Sequence, residues 1–555
     1  MIICGVKITH DSGLALVDDG RLVASVETEK IGNGLRHSRM PDLGVIPDLL
    51  AEYGYDLDSV DELVVDGWRD TAKRRLWNEQ AVLVGSAPYR RGITSSDLFQ
   101  RYEFRLLDRP YSSYAHYATH VASAYCTSPF AALAQDAYVL CWDGRMFPFV
   151  YHVSPDGSAR SLGPIAHLLG DAYRCLAQLV PPFYPPFDGP VEAQEALAVP
   201  GKVMAYAGLG SVDDSVVAKL QDTYDRVTAE VFGRRSVADM DANERRGRAI
   251  LDRMMSSLSF DGANPDDVVA SVQYYVGKLL LEQLVKVIDA DGRRTPNLCL
   301  VGGCALNIKW NRAIRDSGIA DTVWVPPFPN DAGSAIGAAC CALLTHTTTP
   351  YLDWSVYSGP SLPTTETTPP GWTASPCTIT ELAHVLHHTG QPVVFLHGSA
   401  ELGPRALGHR SILAPATDPT MKDTLNTIKE REPYRPVAPI CLHENAPDVF
   451  DPGTPDPYML FDHTVRPEWR HRIPAICHVD NTARLQTIHH TDEPTVHQLL
   501  TTYYQISGIP LLCNTSANHK GRGFFPDAHS AMEWGQIPRV WTNNTLYEKV
   551  GGVHE

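Results

Sequence analysis

Two histidines four positions apart carry the first chemical signal in this sequence. His116 and His120 lie in "SSYAHYATHVASAY", residues 112–125, which predicts a helix. Positions i and i+4 share one face of a helix, so both imidazoles can bind one metal ion. The stretch has no Glu of the H-E-x-x-H type, which argues against a zinc protease. The alternative is a pair of partly exposed histidines on a helix that Ser112 or Ser113 caps.

Two acidic residues, Asp143 and Asp331, are candidates for the third and fourth metal ligands. Two histidines with a carboxylate suit iron or another divalent first-row ion, and the residue types do not choose between them. A further histidine, His10, directly follows the first predicted strand. It can serve as general base for a hydroxyl, or it can hold its loop by hydrogen bonds.

A second signal is positive charge in one glycine- and proline-punctuated part of the chain. The basic residues there are Arg405, Arg410, Lys429, Arg431 and Arg435. Arginine binds phosphate or carboxylate with a planar, bidentate fork. The hydroxyls and amides of "NTSAN", residues 514–518, could add contacts near a strand end. We predict that Arg405, Lys429 and Arg435 converge in an anion pocket beside a helix that starts at "RALG"; the alternative is a solvated basic face.

The elements that position these residues read as a duplicated α/β domain. Residues 1–26 and 138–162 each predict a β-meander with Asp-Gly turns. Two further blocks, 297–307 and 322–344, each predict a strand, a loop of small residues and a helix. Such loops let a nucleotide approach the backbone at a helix N-terminus. This pattern fits the plan of an actin-like ATPase.

The remainder of the chain predicts a linker and a second domain. Residues 346–380 are rich in Thr, Pro and Ser and predict a linker or surface strap. Residues 381–555 begin with a helix and a strand and predict an α+β domain. We therefore expect domains at 1–345 and 381–555.

Composition limits the class of protein. The chain has 555 residues, a formal net charge of −17 and 12 cysteines without a C-x-x-C pair. This charge argues against non-specific nucleic-acid binding. No apolar run is long enough for a membrane helix, the N-terminus does not read as a secretory signal, and the cysteines suggest reduced thiols. We expect a cytoplasmic protein with no nucleic acid or membrane partner, and leave a homodimer open.

On these motifs the chain resembles the O-carbamoyltransferases of natural-product biosynthesis, the nodulation and antibiotic carbamoyltransferase family. The matching stretches include "HYATHVASAY", "LVGGCALN", "PPFPNDAGSAIGAA", "ELGPRALGHRSI", "IKEREPYRPVAP" and "GIPLLCNTSANHKG". The resemblance implies a duplicated actin-like (ASKHA) N-terminal domain similar to the tRNA threonylcarbamoyl transferase. It also implies an α+β C-terminal domain of the YrdC-like kind.

The resemblance also implies a mechanism with ATP and carbamoyl phosphate. The C-terminal domain would release carbamate and phosphate from carbamoyl phosphate. Carbamate would travel internally and attack ATP, which gives carbamoyl-adenylate and pyrophosphate. A hydroxyl of a small-molecule acceptor would then attack the carbamoyl carbon, and AMP would leave. The expected metal is Fe²⁺, with Mg²⁺ or Mn²⁺ as alternatives.

The resemblance assigns roles residue by residue. His10 would lie near the acceptor hydroxyl, and Arg405 and Lys429 would act in catalysis. The implied metal ligands are His116, His120, Asp143 and Asp331. The implied ATP-binding residues are Lys202, Gly302, Gly303, Asn307 and Gly333. The implied carbamoyl phosphate residues are Arg405, Lys429, Arg435, Ser516 and Asn518.

Two other functions stay open from the sequence. An RNA-modifying enzyme could be built from the same two domains, but the acidic balance counts against it. An actin-like ATPase without transfer chemistry would leave the histidine pair and the basic segment unused. The acceptor is not defined, although residues 70–110 and 165–200 are expected to form its walls.

Overall fold

A computed structural model describes residues 1–68, 72–89, 98–184, 193–232, 240–293, 295–347, 349–365 and 367–551. The chain forms two units. The first contains Met1–Thr28 and His37–Ser355, and the second contains Glu29–Arg36 and Val356–Glu555. Parts of the two expected acceptor walls, 70–110 and 165–200, lie outside the described residues. The twelve cysteines form no disulfide.

The first unit is mixed α/β. Its strands are β1 (Ile2–Lys7), β2 (Gly13–Asp18), β3 (Arg21–Glu27), β4 (Glu62–Asp66), β5 (Ala72–Trp77), β6 (Gln80–Gly85), β7 (Tyr102–Leu106), β8 (Arg109–Tyr114), β9 (Ala137–Cys141), β10 (Phe149–Val153), β11 (Ala159–Pro164), β12 (Asn297–Val301) and β13 (Thr322–Trp324). Its helices are α1 (Val45–Glu52), α2 (His116–Cys126), α3 (Pro129–Ala132), α4 (Asp171–Ala177), α5 (Ala193–Tyr206), α6 (Asp214–Phe232), α7 (Met240–Ser257), α8 (Pro265–Asp291), α9 (Ile308–Asp316) and α10 (Ser334–His346).

The two large sheets of the first unit repeat one arrangement. The first sheet has the order β3-β2-β1-β4-β8-β7, and the second has the order β11-β10-β9-β12-β13. In each sheet three strands form an antiparallel meander, and two further strands lie beside the first strand of that meander and run parallel to it. The parallel strands are β1, β4 and β8 in the first sheet and β9, β12 and β13 in the second. Both predicted meanders and the strand–loop–helix blocks at 297–307 and 322–344 are therefore confirmed.

Helix α10 packs against α2 and β1 through small residues. A Cβ atom at Gly337 would lie 2.0 Å from the carbonyl oxygen of Thr119 on α2, so only glycine permits this approach. On the sheet side, a Cβ atom at Gly5 of β1 would lie 2.1 Å from the carbonyl oxygen of Ala335. These contacts hold the N-terminus of α10 beside α2. Among the described helices, none is long and apolar enough to span a lipid bilayer.

The second unit is also mixed α/β. Its strands are β14 (Trp372–Pro376), β15 (Val393–Leu396), β16 (Arg410–Ala414), β17 (Ala438–Leu442), β18 (Phe450–Asp451), β19 (His463–Val465), β20 (Thr482–Ala483), β21 (Gln486–Ile488), β22 (Leu511–Ser516), β23 (Arg539–Thr542) and β24 (Thr545–Lys549). Its helices are α11 (Ile379–Thr389), α12 (Met421–Ile428), α13 (Ala446–Val449), α14 (Pro467–Arg470), α15 (Pro494–Ser507) and α16 (Ala528–Trp534).

An eight-stranded sheet, β14-β24-β23-β15-β16-β22-β17-β21, forms the centre of the second unit. Its inner strands and the helices α11 and α15 enclose one apolar core. The predicted opening helix and strand of this part are confirmed as α11 and β15. The segment 346–380, predicted as a linker, contains β14, an edge strand that pairs with β24. Thr and Ser in that strand are exposed, so it shows no apolar alternation by which it could have been recognised.

Candidate functional site

The paired histidines of the first unit are buried at the start of α2. The side chains of His116 and His120 are 1% and 0% exposed, and their ring centroids are 4.6 Å apart. The alternative of partly exposed histidines is therefore wrong. The predicted cap is also wrong, because Ser112 and Ser113 lie in β8 and the helix is preceded by Ala115 without a side-chain cap. A helix buried on every side needs no polar face.

Asp331 connects the histidines to the loop before α10. It opens a short 3₁₀ turn, Asp331–Gly333, that leads into that helix. Its Oδ1 atom lies 3.3 Å from Nε2 of His116 and 3.4 Å from Nε2 of His120. One ligand atom from each of the four residues, His116, His120, Asp143 and Asp331, lies within 4.8 Å of the others. The structure thus brings together all four residues that the sequence analysis named as metal ligands.

Two further side chains of this site were not found from the sequence. Both carboxylate oxygens of Asp66, at the end of β4, lie 3.0 Å from Nδ1 of His116. The ammonium of Lys7, at the end of β1, lies 2.7 Å from Asp66 and 2.8 Å from Asp331. Thr119 donates its hydroxyl to Asp66 at 2.7 Å. The only sequence signal for these residues is a charged residue closing each of two buried strands.

The charges of the site shift the pKa values of its members in opposite directions. Burial alone would lower the pKa of His116, but the carboxylate of Asp66 and that of Asp331 raise it to about 9. Burial alone would raise the pKa of Asp66, but His116 and Lys7 lower it to about 2. The pKa of Asp331 is also well below its usual range, because Lys7 and His116 outweigh its burial. Both carboxylates are therefore ionised at neutral pH.

This arrangement fits a divalent cation. Both ring nitrogens of His120 are buried and make no hydrogen bond with any described residue. The same is true of Oδ1 of Asn330 and Oγ of Ser334, which flank the 3₁₀ turn of Asp331. Buried polar atoms of native proteins are nearly always satisfied, so an ion or ligand is the natural partner for this group. Because Asp66 faces Nδ1 of His116, the Nε2 atom of that ring is left for a metal ion.

His10 lies at the exposed side of the same site. Its Nε2 atom is 3.4 Å from Asp331, its Nδ1 atom is 3.1 Å from Asp11, and its side chain is 40% exposed. Burial would lower the pKa of His10, but Asp331 and Asp11 raise it. The structure therefore places this histidine beside the candidate metal ligands, where an incoming molecule can reach it.

In the loops predicted to bind ATP, the backbone conformation and close backbone contacts also require glycine. Gly302 has φ 91°, and a Cβ atom there would lie 2.3 Å from the carbonyl oxygen of Trp142. A Cβ atom at Gly333 would lie 2.3 Å from that of Phe328. Gly303 donates its backbone N–H to Oδ1 of Asp143 at 2.8 Å. These loops thus bring the ends of β9 and β12 together, and Gly303 orients one candidate metal ligand.

The two remaining residues of that predicted set lie on helices or at their ends. Asn307 caps α9 and exchanges two hydrogen bonds of 3.1 Å with Gln273, so its amide has protein partners. Lys202 lies on α5, away in sequence from both glycine loops. Roles for Asn307 and Lys202 in nucleotide binding stay predictions.

A basic cluster forms in the second unit. We use this term for six residues, Arg36, Arg405, Lys429, Arg431, Arg435 and Arg484. The Lys429 side chain is buried, and its ammonium donates to the backbone oxygens of Ser516 and Asn518 at 2.7 and 2.5 Å. The Asn518 side chain accepts from Lys429 and from Ser516, each at 2.6 Å. Three residues of the predicted carbamoyl phosphate pocket are therefore in direct contact.

Mutual repulsion shows that the arginines of the basic cluster lie close together. Burial and the guanidiniums of Arg484 and Arg36, among others, lower the pKa of Arg405. Burial and the guanidiniums of Arg435 and Arg36 lower the pKa of Arg431 to about 9. Burial and neighbouring arginines lower the pKa of Lys429 as well. The alternative of a solvated basic face is wrong, because Lys429 is buried and Arg431 is hydrogen-bonded to Thr515 and Ser516.

Few acidic groups compensate the basic cluster. Glu432 lies 3.6 Å from Arg435, and Glu29 lies 3.9 Å from Arg36. Burial and Arg435 lower the pKa of Arg484 to about 10, and Asp456 offsets them only in part. The Nε atoms of Arg405 and Arg484 are buried and make no hydrogen bond with any described residue. A partly buried cluster with more cations than carboxylates is stabilised by anions, so a phosphate or carboxylate group is its expected ligand.

Three members of the basic cluster were missing from the predicted pocket. Arg431 donates to the hydroxyls of Thr515 and Ser516 at 3.0 and 3.2 Å. Arg36 belongs to the short segment Glu29–Arg36 of the second unit. Arg484 follows β20. Arg431 was adjacent to the predicted residues, whereas nothing in the spacing of Arg36 and Arg484 indicates that they join them.

A buried carboxylate within the loop that carries Arg405 stabilises that loop, and no helix forms there. The expected helix at "RALG" is wrong, because residues 399–409 form a loop. The buried carboxylate of Glu401 accepts from the backbone N–H groups of Leu407, His409 and Arg410 at 2.5, 3.2 and 3.2 Å. These three bonds replace the hydrogen bonds that a helix would have supplied.

The sequence matches two family descriptions over most of its length. Residues 2–340 match "Carbamoyltransferase N-terminus", and residues 383–548 match "Carbamoyltransferase C-terminus". The chain is 47% identical to Nodulation protein U of Rhizobium tropici, over 99% of this chain and 96% of that protein. It is 31% identical to the 3'-hydroxymethylcephem-O-carbamoyltransferase of Streptomyces clavuligerus, over the full length of both.

One solved structure has a weaker similarity. It is the activator of the 2-hydroxyisocaproyl-CoA dehydratase from Clostridium difficile with bound ADPNP, at 16% identity and a TM-score of 0.31, over 62% of this chain and 95% of that one. A TM-score of this size does not establish a shared fold.

Proposed function

Because the chain belongs to the carbamoyltransferase family, we propose that it is an ATP-dependent O-carbamoyltransferase that uses carbamoyl phosphate. The family resemblance drawn from the motifs is confirmed. The chain is an enzyme that transfers a carbamoyl group, and its acceptor is a hydroxyl of a natural product. We further propose that carbamoyl phosphate is the donor and ATP the activating nucleotide, and we assign residues to each.

The basic cluster is the single observation that carries the proposal. Carbamoyl phosphate is a small dianion, and Arg405, Lys429 and Arg435 supply cations where few carboxylates compete. Arg431 adds guanidinium donors for phosphate oxygens. The ammonium of Lys429 donates to Ser516 and to two oxygens of Asn518, so its positive charge would be held in place near the phosphate. Water would attack carbamoyl phosphate, and charge stabilisation of the departing phosphate would release carbamate and phosphate at this site.

The first-unit site is proposed to carry the adenylation and the transfer. His116, His120, Asp143 and Asp331 would hold a divalent ion, Fe²⁺ by resemblance, or Mg²⁺ or Mn²⁺. When bound, this ion would neutralise phosphate charge and polarise the carbamoyl group. Carbamate would attack the α-phosphorus of ATP, and pyrophosphate would leave. The acceptor oxygen would then attack the carbamoyl carbon, lose its proton to His10, and AMP would leave.

The finer fold assignment is part of the same proposal. The repeated order of meander and parallel strands supports a duplicated actin-like ATPase in the first unit. A YrdC-like fold for the second unit stays a prediction, as do domains 1–345 and 381–555 with those identities. A cytoplasmic location, independence from nucleic acid and a homodimeric assembly also stay predictions from the sequence.

The acceptor belongs to a broad class. One similar protein is named for a hydroxymethyl group on a cephem ring, and the others are named for nodulation. We propose a primary or secondary hydroxyl of a small natural product. A panel of β-lactam, sugar, aminoglycoside and polyketide alcohols tests this, with a mass increase of one carbamoyl group as the readout.

One incubation separates the proposal from its alternatives. Enzyme, ATP, Fe²⁺ and carbamoyl phosphate should yield pyrophosphate and carbamoyl-adenylate, detected by mass spectrometry. Formation of ADP and phosphate without an AMP ester would show an actin-like ATPase instead. With RNA and the panel of alcohols added to the same mixture, transfer to RNA but to no small alcohol would show the RNA-modifying alternative.

A further inference from the structure

Three side chains of the second unit form a group that the proposed chemistry does not use. His397 follows β15, His409 precedes β16, and Glu493 precedes α15. One ligand atom from each lies within 4.8 Å of the others. We call these three residues the loop-end site, because His397 and His409 stand at the two ends of the loop that carries Arg405.

His409 has the orientation of a metal-binding histidine. Its Nδ1 atom lies 2.6 Å from the carbonyl oxygen of Ser399, so Nδ1 carries a proton. Its Nε2 atom points at the carboxylate of Glu493, with Nε2 and Oε2 2.8 Å apart. A backbone carbonyl on one ring nitrogen is the usual device that directs the other nitrogen to a metal.

His397 completes the group and is not satisfied by protein contacts. Its Nε2 atom lies 4.0 Å from Oε1 of Glu493. Its Nδ1 atom is buried and makes no hydrogen bond with any described residue. The side chain is 27% exposed, which leaves a route from solvent. Two ligand atoms that each lie about 2.0–2.1 Å from a tetrahedral zinc ion stand about 3.3 Å apart. The distances from Glu493 to the two histidines, 2.8 Å for His409 and 4.0 Å for His397, lie on either side of this value.

The surroundings hold these ligands in place. The guanidinium of Arg410 donates to the carbonyl oxygens of His397 and His409 at 2.7 and 3.1 Å. Oε1 of Glu493 accepts from the N–H groups of Thr495 and Val496 at the start of α15. The ring of Tyr357 stacks on His409 with centroids 3.7 Å apart. Little conformational entropy is then lost on binding an ion.

We propose that His397, His409 and Glu493 bind a zinc ion that joins the two ends of the Arg405 loop to the start of α15. Two histidines and one glutamate match a zinc site with three protein ligands and one open position. Because His397 is partly exposed, solvent can reach the ion and supply the fourth ligand. The proposal does not depend on the proposed function, because it concerns metal binding at a different group of residues.

The test uses the full chain with the first-unit histidines removed. The double variant His116→Ala/His120→Ala is freed of metal by chelator and titrated with Co²⁺, a spectroscopic substitute for zinc. We expect one Co²⁺ per chain with the intense visible bands of a four-coordinate site, displaced by one equivalent of Zn²⁺. Weak bands of six-coordinate cobalt, or no saturable binding, would overturn the proposal.

Further variants assign the ion to the loop-end site. His397→Gln in the same background should weaken Co²⁺ binding by about 100-fold or more, since it deletes a ligand without touching the cap of α15. His478→Ala is the matched control, because that buried histidine pairs with Asp480 at 3.0 Å and belongs to none of the three-ligand groups found among the described residues. Equal loss in both variants, or no loss in His397→Gln, contradicts the assignment.

Diffraction from crystals of the unmutated protein provides a check that is independent of any variant's folding. Crystals grown with zinc should show an anomalous peak at the zinc edge between His397, His409 and Glu493. A well-ordered site without such a peak would overturn the proposal.

Discussion

Nδ1 of His116 lies 3.0 Å from each carboxylate oxygen of Asp66, and both side chains are 1% exposed. This contact fixes the ring and leaves Nε2 directed at Asp331. Removing the carboxylate's charge would weaken the ring's hold on a metal ion without deleting a ligand.

Asp66→Asn is expected to lower the metal affinity of the first-unit site by about 10–100-fold, and His116→Ala to abolish it. Titration of Fe²⁺ under anaerobic conditions measures both, in a His397→Gln background that removes a ligand of the loop-end site. Asp136→Asn is the control, since Asp136 pairs with buried His152 at 2.8 Å elsewhere in the unit. An Asp66→Asn affinity equal to that of the parent would contradict the positioning role.

Arg405→Ala is expected to abolish use of carbamoyl phosphate while ATP binding stays nearly intact, because Arg405 belongs to the basic cluster. Steady-state pyrophosphate release and calorimetric ATP titration measure the two properties. Arg472→Ala removes an exposed guanidinium that stacks on Trp469, and it should change neither. Parallel loss of both properties in Arg405→Ala would mean that the pocket is misplaced.

Inorganic phosphate is expected to raise the melting temperature at neutral pH, and this gain should shrink as the pH rises toward the usual pKa of lysine. Burial and the neighbouring guanidiniums of Arg431 and Arg36 lower the pKa of Lys429, so its ammonium loses its proton within this range and the anion is held less well. The stability of the ligand-free protein should instead increase over the same pH range. Its unfolded chain binds more protons in this range, so the free energy of unfolding rises with pH.

Arg431→Met checks the same charge balance. It should reduce the phosphate-dependent gain and raise the melting temperature of the ligand-free protein, because one repelling cation is gone. Sodium chloride at equal ionic strength is the control for screening. A phosphate gain that does not vary between pH 7 and 10 would argue against a cationic anion site.

His10→Asn is expected to slow carbamoyl transfer by about 10²–10⁴-fold while carbamoyl-adenylate still forms. The side chain lies beside Asp331 and is partly exposed, so it can meet an acceptor without being a proposed metal ligand. Single-turnover mass spectrometry follows both species. If adenylate formation fell in step with transfer, His10 would act earlier than we propose.

Gly337→Ala is expected to lower the free energy of unfolding by about 1–3 kcal/mol. Its Cβ atom would lie 2.0 Å from the Thr119 carbonyl oxygen and push α10 from α2. Gly201→Ala is the matched control, because a Cβ atom there meets no atom of a described residue within 4 Å and alanine favours the helix. Urea unfolding compares the two, and equal stability would contradict the close packing.

The two metal-ligand histidines were predictable because a spacing of four residues matches the turn of an α-helix. An i, i+4 pair on a helix must share a face, and Asp143 and Asp331 each follow a recognisable strand. Lys7 and Asp66 are 59 positions apart and meet only because β1 and β4 pair in parallel. No local pattern encodes that pairing.

In the basic cluster, local charge density indicated Arg405, Lys429, Arg431 and Arg435, but not the remote Arg36 and Arg484. The "RALG" stretch shows a different limit of sequence reasoning. Its composition favours a helix, and the buried carboxylate of Glu401 selects a loop instead by accepting three backbone N–H groups. Tertiary hydrogen bonds of this kind override local propensity.

The segment Glu29–Arg36 has a consequence for how the protein is synthesised. Lys30 donates to the backbone oxygens of Glu401 and Gly403, 371 and 373 positions later in the chain. A ribosome must therefore translate most of the message before these partners exist. The second unit cannot be expressed faithfully as a fragment starting at Val356, because it would lack eight residues and Arg36 with them. Supplying residues 29–36 as a separate peptide should restore what such a fragment has lost.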